Sequence, residues 1–346
     1  MQPPVFRSLG FCLLASFFSV RAGAAELPAT VPQQFLRGEF KWTATAPLVS
    51  PAQRPDDPCY SVKDPTIVRY GGRWHLFTTI RSQKRSHQIE YLNFDDWPRA
   101  HSAQRYILAI TNGYFCAPQV FYFTPHKRWY LVYQISDSTL KMLQPAFSTS
   151  TNISDPVSWT PPQRLYQTHP TNITAWIDFW IICDDAKAHL LFTSNNGLMW
   201  RAETRLAEFP HGWNAPKVVL RGDIFEASHT YRLKGLDQFL TVIEAQAAGG
   251  RRYYKAYLAD HLDGEWKPWA ATKEKPFADL VNVRDSAAHW TDSISHGELL
   301  RTGHDEKMEV DPANLKFLFQ GVSEARRAGK KYGEIPWELG LLEQAP

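Results

Sequence analysis

Cysteine is scarce: the 346-residue chain has only four, and methionine is equally rare. So few cysteines exclude a disulfide-stapled miniature fold, and their spacing does not suggest a zinc site. A charge excess is also missing, with 38 basic residues against 35 acidic ones, so no nucleic-acid footprint is indicated. Long apolar runs are absent too, and none reaches the roughly 20 residues that a spanning helix requires. The sequence therefore predicts neither a nucleic-acid nor a membrane partner.

The longest apolar stretch lies at the start. Arg7 precedes a run from Leu9 to Val20, followed by Ala22-Gly23-Ala24, the pattern of a secretory leader cleaved after Ala24. Residues 1–24 are thus expected to be a signal peptide, and 25–346 a single secreted, extracellular domain. Loss of Cys12 with the leader leaves Cys59, Cys116 and Cys183, an odd number that allows one bridge. Cys59 and Cys116 precede strands of adjacent repeats and form the candidate disulfide; Cys183, in an apolar strand, reads as a buried thiol. Asn152-Ile153-Ser154 and Asn172-Ile173-Thr174 are sequons, usable only in a glycosylating host.

What the chain has in abundance is aromatic residues: 13 Trp, 14 Tyr and 20 Phe. These suit half-buried strands and equally suit a groove for sugars. They are distributed over five recurrences of one unit, a polar residue opening an apolar strand, then a turn and a second strand. The units run from Asp64 into Trp74–Phe77, Gln119 into Trp129–Val132, Asp178 into Leu190–Phe192, Glu226 into Phe239–Val242, and His296 into Met308–Val310. Third strands follow, the last at Leu315–Phe319, and residues 335–342 read as a closing strand. Residues 27–54 are placed to add a strand that completes the ring. A period of about 50 to 70 residues marks blades, and the sequence predicts an all-β, five-bladed β-propeller.

First strands of a propeller line its axis, so Asp64, Gln119, Asp178, Glu226 and His296 are expected to converge on one face. Any one alone reads equally well as a turn cap; five in phase point to a site, because carboxylates are rarely buried without partners or chemical need. Glycosidic hydrolysis needs one carboxylic acid to protonate the leaving oxygen and one carboxylate to activate water or attack carbon. Glu226, flanked by Ile224, Phe225 and Ala227, has the most apolar setting and is the candidate acid. Lys63 beside Asp64 would hold that carboxylate ionised, as a base requires, but spacing alone leaves the roles of Asp64 and Asp178 open.

The runs Ser61–Thr66, Trp176–Asp185 and Phe225–Ser228 resemble the three acid-bearing motifs of the glycoside hydrolase family 62 α-L-arabinofuranosidases. Gly250–Tyr253, Ile294–Leu299 and Ile335–Leu342 also match, so the resemblance spans the mature chain in order. It implies an inverting glycosidase that removes single arabinofuranosyl side groups from arabinoxylan. Asp64 would be the base, Glu226 the acid, and Asp178 the residue that tunes Glu226 and orients the sugar. Inversion requires the acid and base to stand about 6.5 to 9.5 Å apart.

The resemblance further implies a calcium ion near His296 on the axis, mostly water-coordinated because calcium prefers oxygen ligands, and not required for the acid/base chemistry. Lys63 and Trp176 are candidate pocket residues that could equally be an ion pair and a core aromatic. Tyr332 matches a tyrosine that contacts xylan, while Gly333 and Ile135 replace residues that grip the backbone in relatives. Arabinoxylan and its oligosaccharides are the expected partners, and a monomer is the expected state. Two other readings remain: a related family 43 arabinofuranosidase or β-xylosidase, and a secreted sugar-binding propeller without catalysis.

Overall fold

The computed structural model describes Met1 and residues 31–284 and 290–345. The expected signal peptide, Met1 apart, lies outside the described residues. Five sheets, antiparallel but for one outer strand in each of two, repeat around an axis. Blade I is built on Asp57–Tyr70, Arg73–Ser82 and Gln88–Phe94; blade II on Phe115–Phe123, Arg128–Asp137 and Met142–Ser150; blade III on Ile177–Cys183, Lys187–Thr193 and Leu198–Arg205. Blade IV uses His229–Leu233, Phe239–Gln246 and Arg252–Ala259. The five-bladed expectation holds. Alternation explains it: Val120, Leu131 and Trp129 join one apolar cluster between blades, while Val62, Ile67 and Leu76 join another.

Blade V closes the ring with both ends of the chain. Its order is Ser295–Leu299, Lys316–Gly321, Glu338–Gln344 and then Trp42–Ala44. Pairing of Trp42 with Gln344 and Ala44 with Leu342 makes the predicted completing strand real. Closure of this kind removes two exposed sheet edges.

The predicted second strand of the fifth repeat is wrong. Glu309–Val310 runs parallel to the first strand of blade IV, and Lys316–Gly321 takes the second position in blade V. The reason lies in the connection between Leu299 and Lys316, which passes beneath the other blades. Tyr122 of blade II donates to the His304 carbonyl at 2.8 Å, Cys183 of blade III to Glu306 at 2.9 Å, and Arg232 of blade IV to Met308 at 3.2 Å. Buried Arg301 donates at 2.9 Å to the carbonyls of both Ile67 and Val120 and pairs with Glu298 at 2.8 Å. This segment stitches one end of the axis shut, leaving the other end for chemistry.

The expected Cys59–Cys116 bridge is absent, and all three cysteines are free and buried. Cys116 is level with Lys63, four residues beyond Cys59 along its strand. That stagger amounts to about 13 Å at 3.3 Å per residue, beyond the reach of a disulfide. Each sulfur accepts a hydrogen bond instead, Cys59 from Arg54 at 3.1 Å and Cys116 from Gln134 at 3.3 Å.

Candidate active site

Near the open end of the axis the first strands break register. The ladder skips a step between Lys63 and Thr66, between Cys116 and Gln119, between Ile177 and Trp180, and between Ser295 and Glu298. Within these bulges Asp64, Ala117 and Asp178 adopt φ of 48°, 51° and 57°, and Ala227 at the entry to blade IV adopts 52°. A non-glycine residue there costs about 1 kcal/mol or more, so surrounding structure must hold it.

Each bulge leaves a backbone N–H without a ladder partner, and a side chain from the preceding blade accepts it. Gln320 takes Asp64 at 2.7 Å, Thr79 takes Ala117 at 2.8 Å, Gln134 takes Asp178 at 3.2 Å, and Glu244 takes His296 at 2.7 Å. At the seam between blades III and IV the acceptor is Asp178 itself, 3.1 Å from the Ala227 nitrogen. The true phase of the ring is therefore Asp64, Ala117, Asp178, Ala227 and His296.

Two expected members fall outside that phase. Gln119 lies two residues further along and links backbones: its amide accepts from Ile181 and donates to the Ile181 carbonyl, both at 2.7 Å. It staples blade II to blade III. Glu226 lies one residue early, level with Lys63, and enters by its longer side chain.

The remaining candidates do meet. Lys63 Nζ is 3.5 Å from Asp64 Oδ2 and 5.2 Å from the centre of the Tyr332 ring. His296 Nδ1 is 3.5 Å from Asp64 Oδ1 and 3.7 Å from Asp178 Oδ2. Arg252 Nη1 is 3.7 Å from Glu226 Oε1. Tyr332 is 53% exposed, the lip of the site, whereas the three acids are at most 7% exposed. Trp176 stands apart, buried against Phe179 and Phe192, with its indole N–H donated to the Leu143 carbonyl at 2.6 Å. It packs as a core aromatic.

Burial raises all three carboxyl groups, but their neighbours divide them. For Asp64 the penalty is outweighed by the Lys63 and His296 charges and a hydrogen bond from Thr79, so it is held below the ordinary carboxylate range. Burial pushes Asp178 up to about 6, with Asp64 and Glu244 adding to the rise and His296 opposing it. Glu226 is driven well above the usual value by burial, then by Glu244 and Asp178, against Arg252 and Lys63. One acid is thus kept ionised and another protonated, the division that acid/base hydrolysis requires.

Among the described residues no cluster of three or more His, Cys, Asp or Glu side chains is spaced to hold a metal ion. His296 offers a single imidazole beside Asp64 and Asp178, so a calcium ion there would draw most of its ligands from water.

Sequence reasoning missed Glu244 and assigned no role to Arg252. The signal for Glu244 was visible: a lone charge in the apolar strand Phe239–Gln246. Gly333 also has an explanation, because a Cβ there would overlap the Arg81 guanidinium. Arg81 fills the space that a side chain at 333 would take.

A five-bladed propeller with three buried acids at the open end of its axis belongs to the glycoside hydrolase class of β-propellers. The sequence model described as glycosyl hydrolase family 62 matches residues 41–343, and the chain belongs to that family. It is 38% identical over 314 residues to α-L-arabinofuranosidase C of Cellvibrio japonicus, covering 89% of this chain. The chain spans 47% of that relative's length. An α-L-arabinofuranosidase from Podospora anserina, solved with cellotriose, superposes with a TM-score of 0.84 at 35% identity, covering 92% of this chain and 99% of that one. A family 62 hydrolase solved with xylotriose gives 0.82 at 36% identity, covering 90% and 100%.

Proposed function

We propose that this chain is a secreted α-L-arabinofuranosidase that removes single arabinofuranosyl groups from arabinoxylan and its oligosaccharides, with inversion at the anomeric carbon. The observation that carries the reading is the opposed charge setting of Asp64 and Glu226 within one buried site. Asp64 takes a proton from water as the water oxygen attacks C1 of the arabinose. Glu226 gives its proton to the xylosyl oxygen as the C1–O bond breaks, releasing arabinose and a xylan hydroxyl. The Ala227 N–H holds Asp178 beside Glu226, where its charge keeps the acid protonated and its free lone pairs face the sugar. Lys63 holds Asp64 ionised, and Tyr332 offers an exposed ring to the xylan chain.

A calcium ion near His296 would steady the two aspartates electrostatically, and no proton transfer passes through it. The relatives solved with cellotriose and xylotriose support a groove for β-linked sugar chains. Residues 1–24 support export, and the protein acts as a monomer in this reading.

The test is sugar release from soluble arabinoxylan by the mature protein, beside Glu226→Gln and Asp64→Asn. Arabinose alone, first seen as the β-anomer by proton NMR and lost in both variants, supports the proposal. Xylose from xylo-oligosaccharides would move the reading to a β-xylosidase, and no release from any arabinose or xylose substrate to a sugar-binding propeller.

A further inference from the structure

The side chains that close the bulges are not alike. Gln320, Thr79 and Gln134, which cap blades I, II and III, are neutral. The corresponding residue of blade III is Thr193, paired with Ile177, and its hydroxyl is buried without a partner among the described residues. Asp178 performs its capping role. The corresponding residue of blade IV is Glu244, wholly buried, although an amide would serve the His296 N–H equally well. Carboxylates therefore close both seams of the blade that carries Glu226, and only those. A buried charge where a neutral group suffices is costly unless it is paired and used.

Glu244 is paired. Its Oε1 accepts from the Ser295 hydroxyl at 3.0 Å and from Arg252 Nη1 at 3.2 Å. The same Arg252 nitrogen stands further from Glu226, at 3.7 Å, and its guanidinium lies 4.0 Å from the centre of the Phe225 ring. Arg252 is thus shared unequally, and Glu244 has the shorter contact.

We infer that Glu244 is a positioning residue for the acid catalyst: its carboxylate draws Arg252 out of a full ion pair with Glu226 and leaves Glu226 beside a like charge. The inference rests on the reading of Glu226 as general acid. The groups facing Glu226 are Glu244 and Arg252 from blade IV, Asp178 from blade III, Lys63 from blade I and Tyr332 from the turn before the last strand. Burial comes first in raising its carboxyl, and Glu244 comes next. Removing the Glu244 charge lowers the pH at which Glu226 loses its proton; removing Arg252 raises it.

The experiment is the pH profile of kcat/KM on arabinoxylan for the wild type, Glu244→Gln and Arg252→Gln, with circular dichroism to establish folding. In Glu244→Gln the alkaline limb is expected to move about one pH unit towards acid, roughly a tenfold loss at any pH above it. In Arg252→Gln it moves towards alkali. On 4-nitrophenyl α-L-arabinofuranoside, whose leaving group needs no proton, the alkaline loss in Glu244→Gln disappears. A uniform fall at every pH and on both substrates, with the limb unmoved, would overturn the inference. Should Glu244→Gln not fold, an Arg252→Gln limb that stays in place overturns it equally. Glu226→Gln in the same series separates the two readings. If it still hydrolyses polymer, the acid assignment falls and Glu244 with it; if it is inactive while the Glu244→Gln limb is unmoved, only the Glu244 role falls.

Discussion

Asp178→Asn should make the protein inactive and more stable. In the fold the Asp178 carboxyl titrates near 6 rather than at its ordinary 3.8, so the folded state binds this proton more tightly than the unfolded chain. Stability is then lost as pH rises from about 4 to 6, and the penalty is complete above that. A rise of about two units at 1.36 kcal/mol each corresponds to about 3 kcal/mol. Asparagine removes the charge while its carbonyl oxygen still accepts the Ala227 N–H. The variant should therefore unfold a few degrees above the wild type at pH 7, with the difference vanishing by pH 3.5. Calorimetric melting across that range is the assay. A variant that melts at or below the wild type at pH 7, or whose advantage does not shrink with acid, would refute the argument.

Tyr332→Ala should weaken polymer binding by about 1 kcal/mol through loss of an aromatic face, read by titration with xylotriose. Gly297→Ala should destabilise by about 1 to 3 kcal/mol, because its Cβ would meet the Leu318 carbonyl and the Phe317 ring at 2.6 Å; thermal unfolding measures this. The three thiols should resist iodoacetamide in the native state, since all are buried and burial pushes Cys116 up to about 12. Three alkylations detected by mass only after denaturation would be the expected outcome, and native labelling would count against it.

The blades were legible because their strands alternate and their turns recur, and the acids because buried carboxylates stand out in apolar runs. Register was not legible. Counting residues from the start of each apolar run placed Gln119 and Glu226 level with Asp64, whereas a bulge inserts a residue that counting cannot see. The same blindness put Met308–Val310 in blade V, since an apolar dipeptide carries no mark of its partner. Arg252 lay within a recognised motif, yet its value depends on Glu244, which stands opposite Glu226 across the hairpin and is distant in any linear reading. The proposed bridge failed for a related reason: adjacency of two blades says nothing of the level at which two cysteines sit.

The ring of bulges also shows how chemistry is added to this fold. Ala117 and Ala227 hold nearly the same left-handed conformation as Asp64 and Asp178 without any side chain that could act on a sugar. The strained backbone therefore belongs to the architecture, present where the residue itself has no functional side chain, and is stabilised by caps from the neighbouring blade. Such a position turns its side chain away from the strict alternation of the strand. Aspartate tolerates the left-handed region better than most residues, so placing a carboxylate at two of these positions adds little strain beyond what alanine already bears there. What does cost free energy is charge, and among the caps it is confined to the seams around Glu226. Function here is grafted on an existing irregularity of the scaffold, and its electrostatic setting comes from exchanging neutral caps for carboxylates.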